Sequence, residues 1–209
     1  MQAVGETDVL VAHDRVERRD AVESRRRILE VARRLFDEHG IEAVSMHAIA
    51  HAAGVGQGTL YRRYTNKGDL CFDLIKESAE SFRVDIEALL QREADRPALS
   101  RLDGVLERVV AFTEEKLPMM GAIRDAYCGP NRPMQFSNPH YCWIHACVTE
   151  LVSEAVAQGE IGVLDPVFTA DALLGALSPQ LYEFQRRERG MTPEEILAGV
   201  RRLFIAGLR

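Results

Sequence analysis

The sequence predicts an all-α protein in which a three-helix N-terminal unit precedes a larger helical domain, with about nine helices in total. Apolar residues recur at helical spacing through most of the chain, and no segment shows the convincing alternation that is typical of a strand. Glycine and proline divide the chain into segments of helical length. The 209 residues, 46% of them apolar and 28% charged, suffice for one or two globular domains.

The N-terminal segment differs from the helices that follow it. Residues 1–20 are polar, carry charges of both signs and have no clear period, which indicates a flexible arm. A first helix is predicted from Glu23, and Gly40 can supply the left-handed residue that ends it. The apolar stripe of this helix consists of Ile28, Ala32, Leu35 and Phe36.

Two short helices are predicted next, with a glycine turn between them. Ser45 can cap the second helix, and Gly54 permits a tight turn because glycine tolerates a positive φ. The third helix is predicted from Gln57 to Tyr64. The apolar face of the second helix consists of Ile49, Ala50 and Ala53. Three short helices with this turn are typical of a helix-turn-helix.

Longer helices are predicted in the rest of the chain. Asn66 can cap a fourth helix that runs from Lys67 to about Arg92. The fifth helix is expected to end before Pro118, because proline lacks the amide hydrogen that a helix interior needs. Further helices are predicted over about 119–127, 140–158, 167–189 and 193–208, with a loop over 128–139.

Charge is distributed unevenly over the three predicted parts of the chain, which are the arm 1–20, a helix-turn-helix domain 21–66 and a helical domain 67–209. The net charge is -6, yet residues 21–70 contain eight Lys and Arg against six Asp and Glu, which gives +2. The only positive segment is therefore the one that contains the three short helices. A basic segment on an acidic body favours local contact with phosphates.

The third helix carries groups that are suited to contacting a duplex. Gly58 lets the backbone approach DNA closely, and the amide of Gln57 can pair bidentately with adenine. Thr59 and Tyr61 can donate hydroxyl hydrogens to phosphates. The other predicted DNA contacts are Arg26, Ser45, Arg62 and Lys67. The arginine run 25–27 can equally be a solvated face.

Several separate motifs support this interpretation together. They are the segments 26–40, 48–50, 53–64 and 67–70, and at these spacings they resemble the DNA-binding domain of TetR-family regulators. The sequence departs from the family pattern at three places. Met46 stands where a second serine or threonine is common, Tyr64 where phenylalanine is common, and Gly68 where an acidic or small residue is common.

The resemblance implies a homodimer that binds palindromic double-stranded DNA, with a C-terminal ligand-binding and dimerisation domain. The last two helices of each subunit are then expected to pair as a four-helix bundle, although their apolar stripes can also pack internally. The expected interface residues are Leu173, Leu177, Leu181, Phe184, Val200, Leu203 and Phe204.

The middle helices are expected to enclose a cavity for a small-molecule effector. Aromatic and methionine side chains make adaptable apolar walls. The candidate lining residues, each of which can also be plain core, are Phe82, Ile86, Phe112, Met119, Tyr127, Tyr141, Trp143 and Tyr182. The loop 128–139 is either a lid or a simple connector.

Cysteines and histidines are concentrated between residues 128 and 147. They are Cys128, His140, Cys142, His145 and Cys147, and their spacing fits no zinc site. We therefore expect no metal and no cofactor, with reduced cysteines and satisfied histidines. Sensing of a soft metal or an electrophile is the less favoured alternative.

Other function classes lack support in the sequence. There is no phosphate-cradling glycine loop, nucleophile elbow or zinc-protease motif, so we do not expect an enzyme. No apolar stretch is long enough to span a bilayer and no secretory signal is evident, so we expect a cytoplasmic protein without a membrane partner.

We therefore expect a transcriptional repressor that a small molecule releases from a palindromic operator. Two alternatives remain open at this point. The first is an activator of the same fold, since the sign of regulation depends on where the operator lies. The second is a helical carrier of small molecules that does not bind an operator.

Overall fold

A computed structural model describes residues 5–126 and 138–207, with side chains from Asp20 onward. The described residues form helices and turns, without a strand, which confirms the all-α prediction. The helices are α1 (Gly5–His39), α2 (Met46–Ala52), α3 (Gln57–Arg63), α4 (Lys67–Arg92), α5 (Ala98–Ala126), α6 (Pro139–Ala157), α7 (Pro166–Ala176), α8 (Pro179–Arg187) and α9 (Pro193–Arg201), and a π-helical turn over Arg202–Ala206 follows.

The first helix is longer than the sequence pattern predicts. It begins at Gly5, so most of the segment 1–20, which we expected to be an arm without regular structure, is helical. Residues 6–20 contain neither proline nor glycine. Once a helix is nucleated further along the chain, nothing in this segment prevents its extension towards the N-terminus, because each added residue gains one hydrogen bond.

The described residues divide into two compact units. The first consists of the chain up to Leu74 together with Ala122–Ala126, and the second of Ile75–Gly121 and the residues from 138 onward. The division therefore lies inside α4, whereas the sequence predicted a boundary at its start. Two helices, α4 and α5, each contribute residues to both units.

The first unit is built as the sequence predicts. Gly40 and Gly54 adopt φ of +78° and +64°, the left-handed conformation that ends α1 and turns the chain after α2. Ser45 caps α2 by accepting a hydrogen bond from the amide of Ala48, and Asn66 accepts one from Asp69 at the start of α4. The buried core of this unit includes Ile28, Leu29, Ala32, Phe36, Ile49, Ala50, Leu60, Leu70 and Leu74.

Two helix predictions in the second unit are wrong, and both concern a proline. We expected Pro118 to end the fifth helix and a separate helix over 119–127, but α5 continues through Pro118 to Ala126. Its neighbours Leu117 and Met119 are both buried. Burial of these side chains offsets the single backbone hydrogen bond that the proline removes.

Pro179 has the opposite effect. The predicted helix 167–189 is interrupted, because α7 ends at Ala176 and α8 begins at Pro179, which occupies the first turn of the new helix. Proline is preorganised for a first turn, and the residue before it is disfavoured in a helix. The last predicted helix, 193–208, is also shorter in the structure, because α9 ends at Arg201 and the chain continues as the π-helical turn.

Polar contacts fix the start of α5. Both carboxylate oxygens of Glu160 accept backbone hydrogen bonds there, from the amide of Ala98 at 2.6 Å and from that of Leu99 at 3.0 Å. A carboxylate stabilises a helix N-terminus because it satisfies amides that have no partner within the helix.

Within the described ranges, no helix is long and apolar enough to cross a membrane.

Candidate DNA-binding site

The outer face of α3 is presented to solvent by one buried anchor. Leu60 is fully buried, whereas Gln57, Gly58, Thr59 and Tyr61 are exposed, with Tyr61 at 49%. The turn before the helix is held by backbone hydrogen bonds from Gly54 and Val55 back to α2. The predicted recognition residues therefore lie together on one exposed helix.

Two of the predicted contacts bond to each other. Arg62 Nη2 donates to Thr59 Oγ1 over 3.2 Å, and both side chains are exposed. The hydroxyl of Thr59 keeps its own hydrogen for another acceptor, and Arg62 keeps other donors. The pair can therefore offer a phosphate several donors without rearranging.

Ser45 and Arg26 are both exposed in the first unit. Ser45 is exposed, and its oxygen accepts the capping hydrogen bond from α2 at 3.1 Å, which leaves its hydroxyl hydrogen free to donate. Within the arginine run, Arg26 is exposed, whereas Arg25 bonds to Asp73. Arg26 is thus the better placed of the two to meet a phosphate.

Lys67 requires a correction. Its ammonium donates to the carbonyl oxygens of Ile41, at 2.5 Å, and of Glu42, at 3.2 Å, and the residue is half-buried. These carbonyls follow the end of α1, where backbone acceptors have no helical partner. Lys67 therefore joins the start of α4 to the loop after α1, and we no longer expect its ammonium to contact a phosphate.

The end of α3 is held by contacts that the sequence reasoning missed. The hydroxyl of Tyr64 donates to Asp73 Oδ2 over 2.8 Å, and Arg25 Nε donates to the same oxygen over 3.0 Å. Burial and the Asp73 carboxylate raise the pKa of Tyr64 well above its usual value. Arg63 donates to the carbonyl of Ala21 over 3.1 Å. Tyr64 stands where phenylalanine is common in the family, and its added hydroxyl was the one feature of the sequence that could have indicated the hydrogen bond to Asp73.

The same unit contains a close helix contact at Gly68. A Cβ added there would overlap the Cβ of Ala126 and lie 3.1 Å from the carbonyl oxygen of Ala122. Both belong to the last turns of α5. Gly68 thus allows the start of α4 and the end of α5 to touch, which explains why this position lacks a side chain.

We expect Gly68→Ala to lower the free energy of unfolding by about 1–3 kcal/mol, the usual cost of overpacking. Chemical denaturation followed by circular dichroism measures this change. Gly199→Ala is the matched control, since a Cβ on this glycine in α9 meets nothing within 4 Å. It should leave stability unchanged or raise it, because alanine favours a helix. Equal effects of the two substitutions would contradict the close contact.

The predicted effector residues lie in a packed region of the second unit. Phe82, Ile86, Met119 and Tyr182 are buried, and Phe112, Tyr141 and Trp143 are half-buried, while Tyr127 lies outside the described residues. The rings of Phe82 and Phe112 pack with their centroids 4.7 Å apart. Apart from Met119, the described side chains of this set belong to one hydrophobic cluster or pack against it.

Tyr182, which we predicted to line the effector pocket, belongs to a hydrogen-bond network that links helices. Its hydroxyl donates to Glu114 Oε2 over 2.8 Å, and Arg186 donates to both oxygens of the same carboxylate at 2.8 Å each. The Arg186 hydrogen bonds hold the pKa of Glu114 below its usual value. Arg186 also donates to the carbonyl of Met191 over 2.6 Å. This network joins α5, α8 and the loop before α9.

An open groove of about 550 Å³ lies elsewhere, along α6 and α7. None of its lining residues was a predicted pocket residue; they are His145, Ala146, Thr149, Glu150, Ser153, Glu154, Ala157 and Val167.

The cysteines and histidines are not arranged as a metal site in the described ranges. No three His, Cys, Asp or Glu side chains there lie close enough to hold an ion, and Cys128 lies outside these ranges. Burial raises the pKa of Cys147 to about 11, so its thiol stays protonated at neutral pH. His145 Nε2 lies 3.0 Å from Asp171 Oδ1.

The expected dimer interface divides into buried and exposed residues. Leu173, Leu177 and Val200 are buried within the chain itself, so the structure corrects their assignment to the interface. Leu181, Phe184 and Leu203 are exposed and Phe204 is half-buried, so these four remain predicted interface residues. Two further apolar residues at the start of α7, Val167 and Phe168, are also exposed. Apolar side chains of this size on a surface commonly mark an interaction site.

This chain is similar in sequence to known bacterial transcriptional regulators. Residues 28–74 match the model of a family described as bacterial regulatory proteins, tetR family. An HTH-type transcriptional regulator of Staphylococcus aureus strain bovine RF122 / ET3-1 is 51% identical over 180 residues, which cover 85% of this chain and 90% of that protein. A second such regulator, from strain MRSA252, is 28% identical over the same length.

Solved structures with a similar fold include a regulator of the TetR/AcrR family and a protein solved with operator DNA. A regulator of the TetR/AcrR family from Thermobifida fusca superposes with a TM-score of 0.64 at 23% identity, covering 90% of this chain and 99% of that one. AibR in complex with isovaleryl coenzyme A and operator DNA superposes with a TM-score of 0.56 at 26% identity, covering 87% and 98%.

Proposed function

Because this chain is a member of the TetR family of bacterial transcriptional regulators, we propose that it is a repressor that binds a palindromic operator as a homodimer and is released by a small-molecule effector. The observation that carries the proposal is the exposed outer face of α3, anchored by Leu60 and bearing Gln57, Thr59 and Tyr61. A short helix with amide and hydroxyl groups on its free face suits the major groove.

Each polar group of α3 has a distinct role in this proposal. The amide of Gln57 reads a base edge, which determines the preferred sequence. The hydroxyls of Thr59 and Tyr61 and the guanidinium of Arg62 bind phosphates, which fix the position of the helix without reading sequence. Gly58 has no side chain, and nothing lies within 4 Å of its Cβ position, so the backbone can approach the duplex.

Palindromic DNA requires two copies of α3 about one helical turn apart. We assign the pairing of two chains to the exposed apolar residues of α7, α8 and the C-terminal turn. In a two-fold dimer each such residue is used twice, once on either side of the axis, so a few exposed side chains suffice to build a continuous apolar interface.

We infer that an effector acts through α4, which both compact units share. AibR has been solved with both a coenzyme A thioester and operator DNA, which supports a fold that accommodates two kinds of ligand. Here α4 supplies residues to both compact units, and Lys67 and Gly68 join its start to the loop after α1 and to the end of α5. A shift of α4 on effector binding would move α3, and a coupling of about 1–3 kcal/mol changes operator affinity about 5- to 150-fold.

The proposal is tested by selecting duplexes from a random pool and measuring their binding by fluorescence anisotropy. We expect a palindromic consensus and an affinity that falls about a thousandfold or more between 50 and 200 mM salt, as for proteins with six or more phosphate contacts. Tyr61→Phe should weaken binding to all duplexes similarly, and Gln57→Ala should change which duplexes are preferred.

The outcomes separate the alternatives. If neither Gln57→Ala nor Tyr61→Phe changes binding, then α3 is not the recognition helix. If the wild-type protein binds no duplex with a steep salt dependence, it is a carrier and not an operator-binding protein. A reporter gene downstream of the selected site distinguishes repression from activation.

A further inference from the structure

Three helices of the second unit bring three aromatic rings together around the imidazole of His140. Its imidazole lies 5.4 Å from the ring of Phe82 on α4 and 5.6 Å from that of Phe112 on α5, measured between centroids. On α6 itself it stacks against Trp143, with a centroid distance of 6.3 Å and an angle of 27°. We call Phe82, Phe112, His140 and Trp143 the ring cluster.

His140 is a polar group in an apolar setting. Burial lowers its pKa, so the imidazole is neutral at pH 7, with one nitrogen that donates and one that accepts. Among the residues that the structure describes, it contacts rings and has no hydrogen-bond partner. His145, five residues further along α6, differs in that it pairs with the carboxylate of Asp171. Its nitrogens are not among the fully buried atoms that lack a partner, so solvent reaches them, and a ligand hydroxyl can take the place of that water.

The composition of the ring cluster favours an uncharged ligand. None of its four side chains carries a charge at pH 7, because the lowered pKa keeps the imidazole neutral. An anion would therefore lose hydration without gaining a counter-charge from the ring cluster itself. An aromatic molecule, in contrast, can join the existing ring contacts by stacking or edge-to-face packing.

The ring cluster is also accessible. Phe112, His140 and Trp143 are each half-buried, although Phe82 is buried. A small planar ligand can therefore reach the imidazole by separating rings whose mutual contacts are worth about 0.5–1.5 kcal/mol per pair.

We propose that the ring cluster is the effector site and that it takes an uncharged aromatic molecule with a hydroxyl group, which forms a hydrogen bond with the imidazole of His140. This inference rests on the proposed function, since it specifies the chemical class of the effector. The rings supply the apolar contact and His140 supplies selectivity for the hydroxyl.

Trp143 makes the proposal directly measurable, because it is the only tryptophan in the chain. The test is a titration with 4-methylphenol and with toluene, which differ by one hydroxyl and do not absorb where tryptophan can be excited selectively. We expect a saturable change of the Trp143 emission with 4-methylphenol and an affinity for toluene that is about tenfold weaker, the difference one hydrogen bond makes. This comparison needs no variant.

A substitution tests the role of His140 itself. His140→Phe keeps a ring in the cluster but removes both nitrogens. It should therefore lower the affinity for 4-methylphenol about tenfold, to the affinity for toluene. His145→Phe is the matched control, because it removes an imidazole from the same helix outside the ring cluster, and it should keep the preference for 4-methylphenol. Thermal unfolding of both variants checks that the unit is folded.

Two results would overturn the inference. The first is the absence of a saturable Trp143 signal with 4-methylphenol in a wild-type protein that binds its selected operator. The second is an equal affinity for 4-methylphenol and toluene in wild type. Neither result affects the operator-binding proposal. Conversely, if the protein binds 4-methylphenol selectively but binds no duplex, the ligand site is supported and the proposal of an operator-binding regulator is disproved.

Discussion

Leu60→Ala is expected to abolish operator binding while the second unit stays folded. Leu60 is the buried residue of α3 and is fully enclosed by the first unit. Truncation of a buried leucine to alanine costs about 2–5 kcal/mol. This loss of stabilising free energy affects α3, which has only seven residues and no side-chain cap at its N-terminus. We therefore expect α3 to lose its fixed position and the affinity for the selected operator to drop at least a hundredfold.

Anisotropy measures this loss, and the emission of Trp143 reports on the second unit in the same samples. Leu60→Met is the matched control, because it keeps the volume and apolar character and should cost less than about 1.5 kcal/mol. This variant should bind the operator with nearly the affinity of wild type. Operator binding by Leu60→Ala within threefold of wild type would mean that α3 does not present the recognition surface.

The helix-turn-helix could be predicted because its signals are local. Gly40 and Gly54 mark turns by their conformational freedom, and both adopt the positive φ that was expected. Ser45 and Asn66 mark helix starts by hydrogen bonds to amides three residues further on. Each of these features depends on residues only a few positions apart, so the sequence alone contains them.

Proline is a weaker signal, because its effect depends on what surrounds it. Pro118 lies inside α5 between two buried residues, Leu117 and Met119, and the helix continues. Pro179 starts a new helix in a stretch that the apolar pattern predicted to be continuous. The two prolines have the same local chemistry. Whether the helix continues depends on how deeply the flanking side chains are buried, and the sequence does not show that burial.

The polar partners of the site were not predictable for a similar reason. Lys67 reaches the carbonyl of Ile41, and Tyr182 reaches Glu114, over separations in sequence that no periodic pattern covers. Helical periodicity likewise identifies an apolar stripe but not its partner. It places Phe168 and Leu173 on one apolar stripe, yet Leu173 is buried within the chain whereas Phe168 is exposed.

The double substitution Phe168→Asp and Leu203→Asp is expected to convert the dimer into a monomer. Both side chains are largely exposed in the single chain, Phe168 at 71% and Leu203 at 65%, so neither change should disturb the core. In the proposed dimer the two-fold axis doubles the change and places four carboxylates in an apolar interface. An unpaired charge in such a setting costs several kcal/mol. Analytical ultracentrifugation measures the dissociation.

Operator binding should fail together with dimerisation. A monomer contacts one half-site only and loses the gain in effective concentration that the second recognition helix provides, which is typically a hundredfold or more. Val84→Asp is the matched control, since Val84 is 58% exposed on α4 in the same unit and is not a proposed interface residue. It should stay dimeric and bind DNA as wild type does. If the double variant remained a dimer, the interface would lie elsewhere. A monomer with undiminished operator affinity would mean that each chain recognises its site alone, in which case a palindromic operator would have no physical basis.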